Sequence, residues 1–307
     1  MVIDGVLLVG FGGVTAECCG RLPACPGRVR CFVSKVLGDD PRQAARIDEV
    51  AAHYAHFGDV SPYNERTNEQ ALALETALGV PVRCGFRNWP PTYDDGLQTL
   101  AAAGCRRIGL VVLAPHQTSR SWDQYIAEAE AAAREATAPV PAIIGVAEPW
   151  WDHPGFIDAC ADELRRAAGD WQSDDALLLT AHAIPQPAEA RSPYRQQVAA
   201  SARLVAEAAG HSAHRVAFQS APDASRIPWS EPRLEAAIAE LAVGGCRRLV
   251  VQAVGFLVDH IEVLYDLDVE AAAQCAELGL DYRRAACVHD HPAFIACLAE
   301  RCRAIAT

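Results

Sequence analysis

Long apolar runs are missing from this 307-residue chain: no stretch approaches the roughly 20 consecutive apolar residues that a membrane-crossing helix requires. Positive charge is scarce as well, with 27 Lys and Arg against 39 Asp and Glu and a formal net charge of -12. So acidic a chain has no broad basic surface for the phosphate neutralisation on which most nucleic-acid affinity rests, and no nucleic-acid partner is expected. The opening residues, Met1-Val-Ile-Asp-Gly-Val-Leu-Leu-Val, lack the basic region that begins an export signal and run into glycines within a few positions. They read as a first buried strand, and a soluble cytoplasmic protein is expected. One glycine is missing where a nucleotide-binding fold would need it. Gly10-Phe-Gly-Gly13 follows that strand, but position 15 is not glycine, so the spacing of a dinucleotide-binding turn is not met.

What is present is apolar and alternating. Hydrophobic residues make up 51% of the chain and charged residues 21%, enough for one large domain or two lobes with cores of their own. Short apolar runs over 6–9, 82–84, 108–113, 142–146, 176–180, 215–219, 249–254 and 281–284 read as strands. The second is cut short by Pro81, which has no N–H to give a sheet ladder. Between them, 68–78, 125–134, 153–168, 196–209 and 231–243 carry helical periodicity. Strand and helix in alternation predict an α/β architecture with parallel sheets. An internal echo supports two related halves: Gly104-Cys-Arg-Arg-Ile-Gly-Leu-Val-Val and Gly245-Cys-Arg-Arg-Leu-Val-Val are each a glycine turn followed by a buried strand. The boundary is placed near 149–152, giving lobes over 1–150 and 151–307, with the last helix free to cross back over the first.

Twelve cysteines are scattered through the chain and are expected to be mostly reduced and buried. Four stand apart, Cys18, Cys19, Cys25 and Cys31, in a Gly- and Pro-bearing stretch near the N-terminus.

In open parallel sheets, ligands bind beyond the carboxyl ends of strands. Two strand ends deliver histidine there. One strand leads into Ala181-His182-Ala-Ile-Pro185. Another leads through Gly255-Phe-Leu-Val-Asp-His-Ile-Glu262 to Asp266 and Glu270. Carboxylates at 262, 266 and 270 stack along one face of a helix, where like charges repel. A line of acids can carry a hydrated divalent cation inward or protons outward, and a histidine facing it can serve as ligand and base. Spacing alone leaves open a structural histidine and a merely solvated acidic face.

The wider pattern resembles one family. Thr180-Ala-His-Ala-Ile-Pro185, followed by the 255–270 segment, is similar to the two signature segments of ferrochelatases. Further similar stretches occur in the family's order: Phe57-Gly-Asp-Val-Ser-Pro62, Gly85-Phe-Arg-Asn-Trp-Pro90, Val112-Leu-Ala-Pro-His116 with Gln124-Tyr125, and Phe218-Gln-Ser220 with Pro228-Trp229.

That resemblance implies two Rossmann-like lobes, each a parallel sheet flanked by helices, with a porphyrin cleft between them. It implies insertion of Fe2+ into a porphyrin during heme synthesis, with His182 as ligand or base and Glu262 as its partner. Asp266 and Glu270 would continue an acidic metal path. Phe11, His53, Tyr54, Ser61 and Tyr125 match porphyrin-contacting positions. Phe11 stands where coproporphyrin-using relatives often carry an iron-binding tyrosine, and phenylalanine has no oxygen for that task. His53 and Leu37 replace arginines common in the family, so Lys35, Arg87 or Arg120 would have to anchor propionates. The short polar segment Gln117-Thr-Ser-Arg-Ser121 favours coproporphyrin III over protoporphyrin IX. Some relatives hold a [2Fe-2S] cluster; neither familiar cysteine set is intact here, which leaves Cys18, Cys19, Cys25 and Cys31 as the candidate ligands. Implied partners are the porphyrin, ferrous iron and other heme-pathway enzymes. Rival readings are a chelatase for Co2+ or Ni2+, which the same ligands also bind, and a non-catalytic tetrapyrrole-binding protein.

Overall fold

The structure, a computed structural model, describes residues 2–22, 25–222 and 225–305. The chain folds into two compact units. The first contains residues 1–113, 124–147 and the chain from Ala299 on; the second contains Ala114–Asp123 and Glu148–Leu298. The segment Ala114–Asp123 thus belongs to the second unit, although it lies within the first 150 residues.

In the first unit, β1 (Gly5–Gly10) is followed by helices α1 (Arg28–Val36), α2 (Ala44–Ala55) and α3 (Tyr63–Leu78), then β2 (Val82–Phe86), α4 (Tyr93–Ala102), β3 (Arg107–Val112), α5 (Gln124–Glu135) and β4 (Ala142–Val146). All pairings are parallel, in the order β2-β1-β3-β4. Every residue of β1 is buried, which is why it reads as an uninterrupted apolar run rather than an alternating one. Helix α4 is started by a reciprocal cap in which Thr92 and Asp95 satisfy one another's backbone N–H groups. Pro81 costs β2 less than expected: its carbonyl accepts from Val6, and the strand runs on to Phe86.

The second unit holds α6 (Pro154–Ala168), β5 (Asp175–His182), α7 (Gln186–Glu189), α8 (Tyr194–Ala208), β6 (Arg215–Gln219), α9 (Leu234–Val243), β7 (Arg248–Gln252), α10 (Ile261–Val263), α11 (Ala272–Glu277), β8 (Asp281–Ala285) and the first half of α12 (Pro292–Ile305), whose residues from Ala299 on belong to the first unit. Between α10 and α11 the chain winds as a π-helix, Leu264–Ala271. The strand order is β6-β5-β7-β8, again all parallel. Both sheets therefore place their strands in the sequence second, first, third, fourth. The echo found in the sequence falls on the third strand of each: Cys105 precedes β3 and Cys246 precedes β7. Six residues beyond those cysteines, Val111 pairs with Leu8 and Gln252 pairs with Leu179.

The core of the second unit seats the acidic segment. Val263, Leu267, Ala271 and Cys275 lie on Leu178, Leu249 and Val251 of the sheet, all fully or almost fully buried. At about 1.5–3 kcal/mol for each large apolar side chain removed from water, Val263 and Leu267 alone fix which face of that segment looks inward. Among the described residues no helix is long and apolar enough to cross a membrane.

A histidine–glutamate pair at the strand ends of the second sheet

Three strand ends of the second sheet bring the chemistry together. His182 is the last residue of β5, Gln219 the last of β6, and Glu262 follows the loop that leaves β7. That loop passes directly over β5: Gly255 N–H donates to Thr180 O at 3.0 Å. A Cβ at Gly255 would lie 2.7 Å from the Cβ of Ala181 and 2.8 Å from its Cα, so only glycine permits this approach. The result places Glu262 Oε2 3.7 Å from His182 Nε2. Both side chains remain accessible, at 36% and 43% exposure.

The other ring nitrogen of His182 is committed. Nδ1 lies against the Ala183 carbonyl, an acceptor, so Nδ1 donates there and Nε2 is the nitrogen that faces Glu262. The backbone beneath is held from another helix: the buried Tyr194 hydroxyl donates to His182 O at 2.7 Å. His260 caps α10, its Nδ1 accepting from Glu262 N–H at 3.3 Å, and burial lowers its pKa.

Asp266 has a different environment from Glu262. It is 8% exposed, receives a 3.1 Å hydrogen bond from Gln219 Nε2 and one from Ser220 Oγ, and Gln219 is itself fixed by Thr180 Oγ at 2.7 Å. Burial pushes the Asp266 carboxyl up to about 7; the charges of Glu262 and Glu270 act in the same direction, and the two hydrogen bonds oppose them. Glu270 is exposed. The acids run from an accessible Glu262 through a buried Asp266 to the surface. They do so on π-helical winding from Leu264 onward rather than on the regular α-helix that their four-residue spacing suggested. Among the described residues no group of three or more His, Cys, Asp or Glu side chains is arranged as a ready-made metal cage.

The chain as a whole has counterparts among known proteins. The family model described as Ferrochelatase matches residues 4–305. The chain belongs to the ferrochelatase family. It is 36% identical over 297 residues to the coproporphyrin III ferrochelatase of Mycobacterium tuberculosis, covering 96% of this chain and 83% of that one. To the coproporphyrin III ferrochelatase of Mycobacterium marinum it is 35% identical over 289 residues, covering 93% and 82%. Among solved structures, SirB from Bacillus subtilis with Fe3+ superposes with a TM-score of 0.61 at 14% identity over 99% of this chain and 95% of that one. The sirohydrochlorin chelatase SirB from Bacillus subtilis subspecies spizizenii in complex with cobalt gives 0.57 at 14% identity, over 98% and 94%. At that identity these two likenesses concern the fold.

The ferrochelatase positions expected to meet the macrocycle lie in the first unit. Phe11 follows β1 and packs edge-on against Phe32 at 6.1 Å between ring centres, and Tyr54 packs on the same ring at 6.1 Å. Ser61 is buried beside Gly13, its N–H donating to Val14 O at 2.8 Å. Tyr125 is also buried, whereas His53 on α2 is half-buried. Lys35 Nζ donates to Arg87 O at 2.8 Å, and Arg87 pairs with Glu128 at 3.2 Å.

Among the described residues the N-terminal cysteines are not arranged as a ready-made group of three or more metal ligands. Cys31 lies on the inner face of α1, 1% exposed, and not in a polar loop. Its Sγ is 3.7 Å from that of Cys19, and Cys18 reaches Cys19 and Cys25, so the four thiols form a string. A cluster needs four thiolates converging on one centre.

Sequence reasoning missed several supporting residues. Gln219 and Ser220 stood inside a matched stretch without a role, and Ser220 adopts φ +63, which its identity does not announce. Asp259 was overlooked beside His260. Its carboxyl is largely buried and held well below the usual carboxylate range: burial opposes ionisation, but a hydrogen bond from His289 and the Arg284 charge outweigh it.

Proposed function

We propose that this chain inserts ferrous iron into coproporphyrin III, with His182 and Glu262 at the reacting centre, in the cytoplasm. The observation that carries the reading is His182 Nε2 facing the Glu262 carboxylate at 3.7 Å. Insertion exchanges two pyrrole N–H protons for one Fe2+. A neutral imidazole with a free Nε2 can accept one such proton or ligate the entering ion, and the imidazolium formed by protonation is stabilised by Glu262 beside it. Asp266, poised near neutrality, can take up and release a proton at working pH, and Glu270 lies beyond it at the surface. The same three acids can draw a hydrated divalent cation inward, since oxygen ligands suit such ions.

Coproporphyrin III is favoured by the names of the relatives at 35–36% identity and by the polar segment after His116. The porphyrin contacts of this reading are Phe11, His53, Tyr54, Ser61 and Tyr125, with Lys35 and Arg87, which are in contact through the Arg87 carbonyl, taking propionates. Phe11 supplies no axial oxygen to the product. The iron is substrate, and no step passes through the thiols.

The test is anaerobic incubation of the purified protein with Fe2+ and either coproporphyrin III or protoporphyrin IX, followed by absorbance. Faster metalation of coproporphyrin III is expected. Preference for protoporphyrin IX would overturn the substrate assignment, and turnover with Co2+ or Ni2+ alone would overturn the metal.

A further inference from the structure

One arginine, remote from the reacting centre in sequence, touches the acidic segment twice. Arg284 is on β8, opposite Val251 in the sheet register, and its side chain is 16% exposed. Its Nη1 donates to Asp259 Oδ1 at 2.9 Å, while Nε and Nη2 donate in parallel to Asp268 Oδ1 and Oδ2 at 2.5 and 2.9 Å. Asp259 is further fixed by Cys287 N–H at 3.2 Å and by His289 Nε2 at 3.0 Å.

We propose that Arg284 is a positioning residue for metal handling, pinning both ends of the 259–268 segment so that Glu262 and Asp266 keep their places opposite His182 and Gln219. The segment needs such a device. It leaves β7 through a loop of eight residues, Ala253 to His260, makes one α-helical turn, and then winds as a π-helix, a form rarely stable without outside support. The clamp comes from a strand of the sheet, the most rigid element available, which is how a precise site is held. Only arginine suits the task. Its planar fork offers two parallel donors to one carboxylate and keeps a third for another, which a lysine ammonium does not do. Asp268 and Asp259 in turn neutralise a cation that would repel an entering divalent ion.

The proposal rests on the iron-insertion reading, and its test separates the two. Wild type, Arg284→Lys and Asp268→Asn are compared in three measurements: coproporphyrin III binding by fluorescence, kcat and KM for Fe2+ during insertion, and Co2+ affinity of the porphyrin-free protein from its ligand-field absorbance. Arg284→Lys should lower kcat/KM for Fe2+ and weaken Co2+ binding by about tenfold or more while porphyrin affinity stays within about twofold. Asp268→Asn, which loses only the outer, more exposed half of the clamp, should show a smaller effect of the same pattern. Wild type that inserts no iron would sink the functional reading, and Co2+ affinity would still judge the clamp. Unchanged Co2+ affinity in both folded variants, or equal loss of porphyrin and metal binding, would overturn the positioning role; if Arg284→Lys does not fold, Asp268→Asn decides.

Discussion

Gly255 crosses Ala181 so closely that one added methyl group would sit 2.7 Å from the alanine Cβ. Gly255→Ala should therefore lift the loop that carries Glu262 away from His182, at a cost of about 1–3 kcal/mol in stability and a larger loss of insertion rate. Urea denaturation and steady-state kinetics measure both. An active, equally stable variant would show that the loop tolerates the shift.

His182→Ala should abolish insertion, by at least about 100-fold, because it removes the imidazole that faces the Glu262 carboxylate at 3.7 Å. The side chain is over a third exposed, so the melting temperature should change little. Near-normal turnover would remove His182 from the chemistry.

Glu262→Gln keeps the size of the side chain but loses the charge proposed to attract iron and to stabilise an imidazolium. Turnover should fall far more than porphyrin affinity. Fluorescence quenching by the enzyme, run beside the rate assay, separates the two, and parallel losses would make Glu262 a porphyrin-positioning group instead.

Asp266 should imprint a pH dependence on stability. Its carboxyl titrates near 7 in the folded protein against an ordinary value of 3.8. Between those values the unfolded chain is ionised at this residue while the folded chain holds the proton. Stability contributed here is thus lost as pH rises from about 4 to about 7, by at most ~4 kcal/mol, and is constant above. Asp266→Asn abolishes that slope, so its stability relative to wild type should improve with pH across this window and then level off. Denaturation at several pH values checks this; a pH-independent difference would mean that Asp266 ionises normally.

The thiol string gives opposite expectations for two neighbours. Cys31→Ser places a hydroxyl in the α1 core and should cost about 1–3 kcal/mol, whereas Cys18→Ser changes an exposed group and should be neutral. Protein purified without oxygen should contain no acid-labile sulfide. Sulfide and visible absorbance lost in Cys25→Ser would restore the cluster.

Much of this was legible in the sequence because parallel sheets buried on both faces write themselves as apolar runs. The strands over 142–146 and 215–219 match to the residue, and the helices over 125–134 and 153–168 to within a residue at each end. His182 and Glu262 could be paired because strand ends are where such sheets bind ligands. Other features have no one-dimensional signature. The π-helical winding of Leu264–Ala271 preserves the same four-residue spacing of acids that an α-helix would show. Arg284 was visible only as the end of a strand, since its two partners lie 25 and 16 residues upstream. Cys31 was grouped with its neighbours by density, whereas helix formation over Arg28–Val36 turns it into the core.

The shared strand order gives each sheet the same set of addresses. Val111 and Gln252 occupy equal places in the repeated segment, so their partners Leu8 and Leu179 do too. Three residues further along each first strand stand Phe11 and His182. One address is thus filled twice, by a ring that can neither bind a metal nor hold a proton and by one whose nitrogens are capable of both. The scaffold is even-handed between its halves, and the lopsided chemistry is decided by which ring each half carries there.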